Sequence, residues 1–162
     1  VPKFDKQKYT PEARARASAL GSLAMREHGC DELRKKLINK QHDEAVVDQL
    51  ITELLKDNLI SDARYAESYW RSRANKGYGP ARINKELEMK GVALQTIANA
   101  QAEADLDFFI LVENVYQKKY KGQSWQDYKE KAKRQAFLYR RGFDTELIKH
   151  AMNHASQDSA YK

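Results

Sequence analysis

The sequence predicts an all-α chain of three tandem three-helix units, elongated and able to curve. Three observations carry this. Nothing along the chain alternates apolar and polar residues as a strand does. Helix breakers are crowded into "NKGYGPARINKELEMKGV", residues 75–92, although the whole chain holds only 7 Gly and 3 Pro in 162 residues. The pattern of that stretch also recurs about 50 residues to either side.

The elements follow in order. Thr10-Pro11-Glu12 offers an N-cap and a first-turn proline for a helix to about Glu27. A short helix is expected over Cys30–Asn39. Asp43 then caps a third helix, in which Val46, Val47, Leu50, Ile51, Leu54 and Leu55 fall on one face. In the second unit, helices are expected from Ser61 to about Asn75, from Pro80 to Met89 and from Ala93 to about Glu103. Gly77-Tyr78-Gly79-Pro80 forms the corner between the first two. Glycine there tolerates positive φ, and proline is preorganised to open a helix. Gly91 sits where a left-handed cap ends the next. The third unit is expected to run Leu106–Tyr120, Trp125–Arg140 opened by Ser124, and Asp144–His154. The units then span 10–59, 60–104 and 105–154.

Sliding the pattern back places Gly29 on Gly79, Leu33 on Ile83, Leu37 on Leu87 and Lys40 on Lys90. Sliding it forward places Leu138 on Leu87, Arg141 on Lys90, Gly142 on Gly91 and Phe143 on Val92. Two departures stand out. Gln41 replaces the cap glycine of the first copy, and Arg134 falls where Leu33 and Ile83 sit.

Composition narrows the function classes. No apolar run approaches the roughly 18–20 residues needed to cross a bilayer, and the start lacks the apolar centre of a secretory signal, so a cytoplasmic location without membrane contact is expected. Because residue 1 is Val, the native start is expected to be missing. The single Cys30 excludes an internal disulfide and a Cys-rich zinc site, and no Cys/His pairing makes it a nucleophile. His150 and His154 lie one helical turn apart, but no further ligand cluster completes a metal site. No phosphate-binding glycine loop, nucleophile elbow or HExxH pattern is present. The reading is therefore a non-enzyme without cofactor or metal.

Lys and Arg total 29 against 23 acidic residues, a net charge of +6 that favours a polyanionic partner. The excess is local. Residues 71–90 hold Arg71, Arg73, Lys76, Arg82, Lys85 and Lys90 against only Glu86 and Glu88, and residues 118–141 hold nine basic residues against Asp127 and Glu130.

These residues carry a resemblance. "SDARYAESYWRSRANKGYGPARINKELEMKGV" resembles the central motif of the RecX family, bacterial regulators of the RecA recombinase. "DELRKKL" upstream and "FLYRRGF" downstream resemble the motifs of the family's first and third repeats, in the right order and spacing. The resemblance spans about residues 12–153, and the tails match nothing. It implies a non-enzymatic negative modulator that binds the groove of the RecA filament on single-stranded DNA. Family members of this kind block filament extension or promote disassembly, lowering ATPase, strand-exchange and co-protease activities.

Arg71, Arg73, Lys76, Arg82, Lys85 and Lys90 suit phosphates or acidic side chains, and the ordinary alternative is a solvated face balanced by Glu86 and Glu88. Arg82 leads, because a cation in the first turn of a helix is mildly disfavoured by the dipole and an external anion would explain it. Tyr78, between two glycines, can stack on a partner or pack back onto its own helix. Tyr65, Tyr69 and Trp70 read as core. In the second basic region, Lys129 and Lys133 are i,i+4 neighbours, Glu130 offsets Arg134, and Arg140 and Arg141 complete the set. The resemblance implies the RecA nucleoprotein filament as partner, the localised charge leaves single- and double-stranded DNA open as further partners, and nothing demands more than a monomer. Two other classes stay open on sequence alone: an autonomous helix-turn-helix DNA-binding protein, and a helical scaffold for an unrelated protein.

Overall fold

In a computed structural model, residues 9–159 are described, with side chains described for 9–153. Among them are nine α-helices and no strand: α1 (Pro11–Met25), α2 (Cys30–Asn39), α3 (Glu44–Lys56), α4 (Asp62–Asn75), α5 (Pro80–Met89), α6 (Leu94–Ala104), α7 (Phe108–Tyr120), α8 (Tyr128–Arg140) and α9 (Thr145–Ser159). They form three three-helix units in tandem. In each unit the first helix packs on the third (α1 on α3, α4 on α6, α7 on α9), and the shorter second helix closes one end.

Local chemistry sets most boundaries. Thr10, Asp43, Ser61 and Asp107 each accept a hydrogen bond from a first-turn backbone N–H. Gly77 turns at φ +87, Gly79 is the N-cap of α5, and Pro80 is its first residue. The turn after each second helix repeats one geometry. Val92 N–H donates to Leu87 O, His42 N–H to Leu37 O and Phe143 N–H to Leu138 O, with Gly91, Gln41 and Gly142 at φ +80, +70 and +99. Gln41 therefore takes the left-handed conformation that its glycine counterparts adopt.

Several expected boundaries shift. α1 ends at Met25 because Arg26 turns to extended backbone. α7 starts at Phe108, not Leu106, because Asp107 caps it. α8 starts at Tyr128, not Trp125: Asp127 rather than Ser124 is the cap, accepting from Glu130 N–H at 2.8 Å, while Glu130 accepts from Gln126 N–H at 2.8 Å. α9 continues past His154 to Ser159, and the side chain of His154 lies outside the described residues. Leu55, expected on the buried face of α3, is 48% exposed; Val47, Leu50 and Leu54 form that face.

Each unit has its own apolar core: Leu33, Leu37, Val47 and Leu54 in the first, Trp70, Ile83, Leu87 and Ile97 in the second, and Val112, Leu138, Phe143 and Ile148 in the third. Tyr65 is buried with Trp70 and Tyr69 packs against them, as the spacing predicts. Phe108 and Leu111 pack against both the second and third cores, and Phe108 meets Trp70 edge-on at 5.8 Å between ring centroids. Each fully buried leucine contributes about 1.5–3 kcal/mol.

Arg134 occupies the third unit's counterpart of Leu33 and Ile83, and is itself 2% exposed. Its guanidinium donates to Tyr116 Oη at 2.8 Å, to the Gln123 carbonyl at 2.7 Å and to Glu130 at 2.7 Å, and lies 4.3 Å from the Tyr120 ring centroid. A charge at a core position is tolerated because these partners take both terminal guanidinium nitrogens, leaving only Nε without a hydrogen bond. It also ties the loop between α7 and α8 to α8, which explains why that helix starts late.

Candidate partner-binding site

The second and third units meet backbone to backbone. Gly79 N–H donates to Arg141 O at 2.7 Å and Ala81 N–H donates to Gly142 O at 3.1 Å. A Cβ on Gly79 would stand 2.5 Å from the Gly142 carbonyl, and one on Gly142 would stand 2.4 Å from Arg82 Cβ. Only paired glycines permit this approach.

The seam gathers three arginines around one tyrosine. Tyr78 rises from the α4–α5 corner, and its ring centroid lies 3.9 Å from Arg73 Cζ, 4.4 Å from Arg82 Cζ and 4.8 Å from Arg141 Cζ. One carboxylate serves the cluster: Glu86 pairs with Arg73 at 2.8 Å and Arg82 at 3.2 Å, and accepts from Tyr69 Oη. Burial works against the charge on Glu86, but hydrogen bonds from Arg73, Tyr69 and Arg82 outweigh it and hold its pKa below the ordinary value. Burial and the bond to Glu86 push the Tyr69 phenol up to about 12. Arg141 donates to Lys76 O at 3.1 Å and Arg82 to Arg140 O at 3.2 Å, so both guanidinium groups also brace the seam. Arg141 makes no ion pair among the described residues.

The first seam shows what the second lacks. In the repeat register Glu32 corresponds to Arg82 and Lys90 to Arg141. Glu32 bonds Arg26 at 2.9 and 3.2 Å and pairs with Lys90 at 3.5 Å. Burial opposes its ionisation, yet the Arg26 hydrogen bonds and the charges of Arg26 and Lys90 keep its pKa below the usual range. Cation therefore meets carboxylate at the first seam. At the second, arginine stands in the carboxylate's place.

Family models for the first, second and third three-helix domains of RecX match residues 15–54, 61–100 and 111–152. The regulatory protein RecX of Pseudomonas entomophila (strain L48) is 40% identical over 139 residues, 86% of this chain and 89% of that protein. The chain belongs to the RecX family. The regulatory protein RecX of Vibrio parahaemolyticus serotype O3:K6 (strain RIMD 2210633) is 36% identical over 152 residues, covering 94% of this chain and 98% of that one. Among solved structures, the crystal structure of RecX from Lactobacillus salivarius shares the fold with a TM-score of 0.72 at 21% identity, over 91% of this chain and 97% of that one.

Within this RecX-family chain, the candidates read from sequence divide into groups. Arg73, Tyr78, Arg82 and Arg141 come together at the second seam, with Lys76 and Arg140 joined to it through their backbone carbonyls. Lys90 lies at the first seam on Glu32, and Arg71 is held by Glu67 at 3.2 Å and the Glu103 carbonyl. Lys85 is exposed on α5, and Lys129 and Lys133 are exposed on α8, with no ion pair to any of the three among the described residues. Arg82 was expected to need an external anion; Glu86, one turn along α5, already meets it. Tyr78 packs back, its ring covered by guanidinium groups. Sequence reasoning treated Glu86 only as a counter-charge, whereas it organises the cluster; its spacing of four from Arg82 was the available signal.

The remaining chemistry is structural. Burial and then Asp62 push the Cys30 thiol up to about 11, and Asp62 accepts from Cys30 N–H at 2.8 Å. His150 bonds Glu113 and meets the Phe109 ring. Among the described residues no group of three His, Cys, Asp or Glu could hold a metal ion, and no helix is long and apolar enough to cross a membrane.

Proposed function

We propose that this chain is a negative modulator of RecA. It binds in the groove of the RecA filament on single-stranded DNA, following the groove with its three units and limiting filament extension, ATPase, strand exchange and co-protease activity. Membership of the RecX family supports the RecA connection. The convergence of Arg73, Arg82 and Arg141 on Tyr78 carries the choice of contact surface. Arg73 and Arg82 share one carboxylate and Arg141 pairs with none among the described residues, so the seam retains attraction for an acidic side chain or phosphate, which planar guanidinium meets with two parallel bonds. Lys76, Lys85 and Arg140 widen the field around the seam, while Lys129 and Lys133 extend it along α8.

The experiment is the ATPase rate of RecA on single-stranded DNA, with this protein added before or after filament assembly, at substoichiometric and equal ratios. Inhibition at low ratio is expected, and dependence on order of addition separates blocked growth from disassembly. The Arg82→Ala variant should need about tenfold more protein for the same inhibition, corresponding to about 1.4 kcal/mol. Absence of inhibition by the folded wild-type protein would overturn the reading.

A further inference from the structure

Adjoining the Tyr78 seam, with which it shares Arg141 and Lys76, α4, α7 and α8 enclose an open cleft of about 660 Å³. Its rim carries Lys76, Lys118, Lys119 and Arg141. Its single carboxylate, Asp107, already accepts the Phe109 and Ile110 N–H groups as the cap of α7. Its floor is aliphatic: Leu111, Val115 and Ile110, the last 56% exposed. An exposed apolar floor rimmed by charge of one sign marks a contact surface for a partner of the opposite sign.

We infer that this cleft binds an acidic peptide segment with an apolar anchor residue, supplied by another protein. The inference goes beyond the reading above, since it needs neither RecA nor Arg82. Four cations against one committed carboxylate favour an anionic occupant. The aliphatic floor selects among anions: single-stranded nucleic acid is bound by stacking its bases on free aromatic faces. The one aromatic ring lining the cleft, Phe137, already has Lys119 Nζ at 3.7 Å and Arg141 Cζ at 5.3 Å from its centroid. An apolar side chain seated on Ile110 and Val115, with flanking carboxylates reaching the lysines, uses both features. From Ile110 to Lys118 the α7 backbone rises about 12 Å, the length of roughly four extended residues. The chain's own N-terminal residues 1–8, with three lysines and one aspartate, have the wrong sign to be the occupant.

The test uses fluorescence anisotropy with three probes on the full chain: a labelled peptide of four acidic residues around a central Leu-Phe, the same peptide with Ser-Ser at its centre, and an oligothymidylate of equal net charge. The Leu-Phe peptide should bind at least about tenfold tighter than the Ser-Ser peptide. Lys118→Glu should weaken both peptides, and Ile110→Ser should weaken only the Leu-Phe peptide, by about tenfold. Both substitutions are at exposed positions that leave the cores intact. Equal binding of the two peptides, no binding of either, or loss of oligothymidylate binding in Ile110→Ser would each overturn the inference.

Discussion

Gly142→Ala isolates the device that joins the second and third units. At φ +99 an alanine carries the left-handed penalty of about 1–2 kcal/mol. Its Cβ would also stand 2.4 Å from Arg82 Cβ, 2.7 Å from Arg82 N and 2.9 Å from Gly79 O. These atoms belong to or adjoin the backbone, so no flexible side-chain end can swing away, and overpacking adds about 1–3 kcal/mol. The lower unfolded-state entropy of alanine returns about 0.4–1 kcal/mol. The net loss is about 1–4.6 kcal/mol, centred at about 3 kcal/mol. Gly122→Ala is the control: φ is +74 there, yet its nearest neighbour is Gln117 Oε1 at 3.9 Å, leaving only the conformational part. Urea unfolding followed by circular dichroism and tryptophan fluorescence reads both variants, with Trp70 in the second core and Trp125 packed against the third. If Gly142→Ala lies within about 0.5 kcal/mol of Gly122→Ala, the close approach is not what holds the seam.

Three further outcomes follow from the same geometry. Glu86 has a folded-state pKa below its ordinary 4.5, so its ionised form contributes stability that is fully present above that value and is lost as pH falls through the lower folded value. Glu86→Gln should therefore flatten the acid limb of urea midpoints below about pH 4.5. Arg134→Leu restores the residue class of Leu33 and Ile83 but strips Tyr116 and the Gln123 carbonyl of a donor; amide hydrogen exchange should accelerate over residues 121–127 while α4 and α6 keep their protection. With the Cys30 thiol pushed up to about 11, labelling by a disulfide reagent near pH 7.5 should run roughly two orders of magnitude slower than for free cysteine, and a comparable rate would contradict its burial.

The sequence revealed what neighbouring residues decide among themselves. Pro80–Met89 was placed to the residue because Gly79, Pro80 and Gly91 each impose a local conformation, and Cys30–Asn39 followed by repetition. The start of α8 was missed because Ser124 and Asp127 both offer caps, and the choice is made by Arg134, which takes the Gln123 carbonyl for its own buried charge. The site divides the same way. Glu86 was readable as a partner of Arg82 at helical spacing, but the approach of Arg141 to Tyr78, 63 positions apart, depends on how two glycine turns dock. The exchange of Glu32 for Arg82 was present in the repeat register, yet without the seam nothing marked it as a reversal of charge between equivalent contacts.

That reversal separates scaffold from contact. Two backbone hydrogen bonds and a glycine-to-glycine approach hold the second seam without the arginine side chains, to which Arg82 and Arg141 add one exposed bond each, to the Arg140 and Lys76 carbonyls. Arg82 is 43% exposed along its side chain, and its ion pair with Glu86 is of the surface kind, contributing about 0–1 kcal/mol. Glu86 also keeps Arg73 when Arg82 is gone. Arg82→Ala should therefore leave the urea midpoint nearly unchanged while costing about tenfold in RecA inhibition, whereas Gly142→Ala should lower both together. A loss of stability in Arg82→Ala as large as that in Gly142→Ala would place Arg82 in the scaffold and remove the argument that the seam's cations are held for a partner.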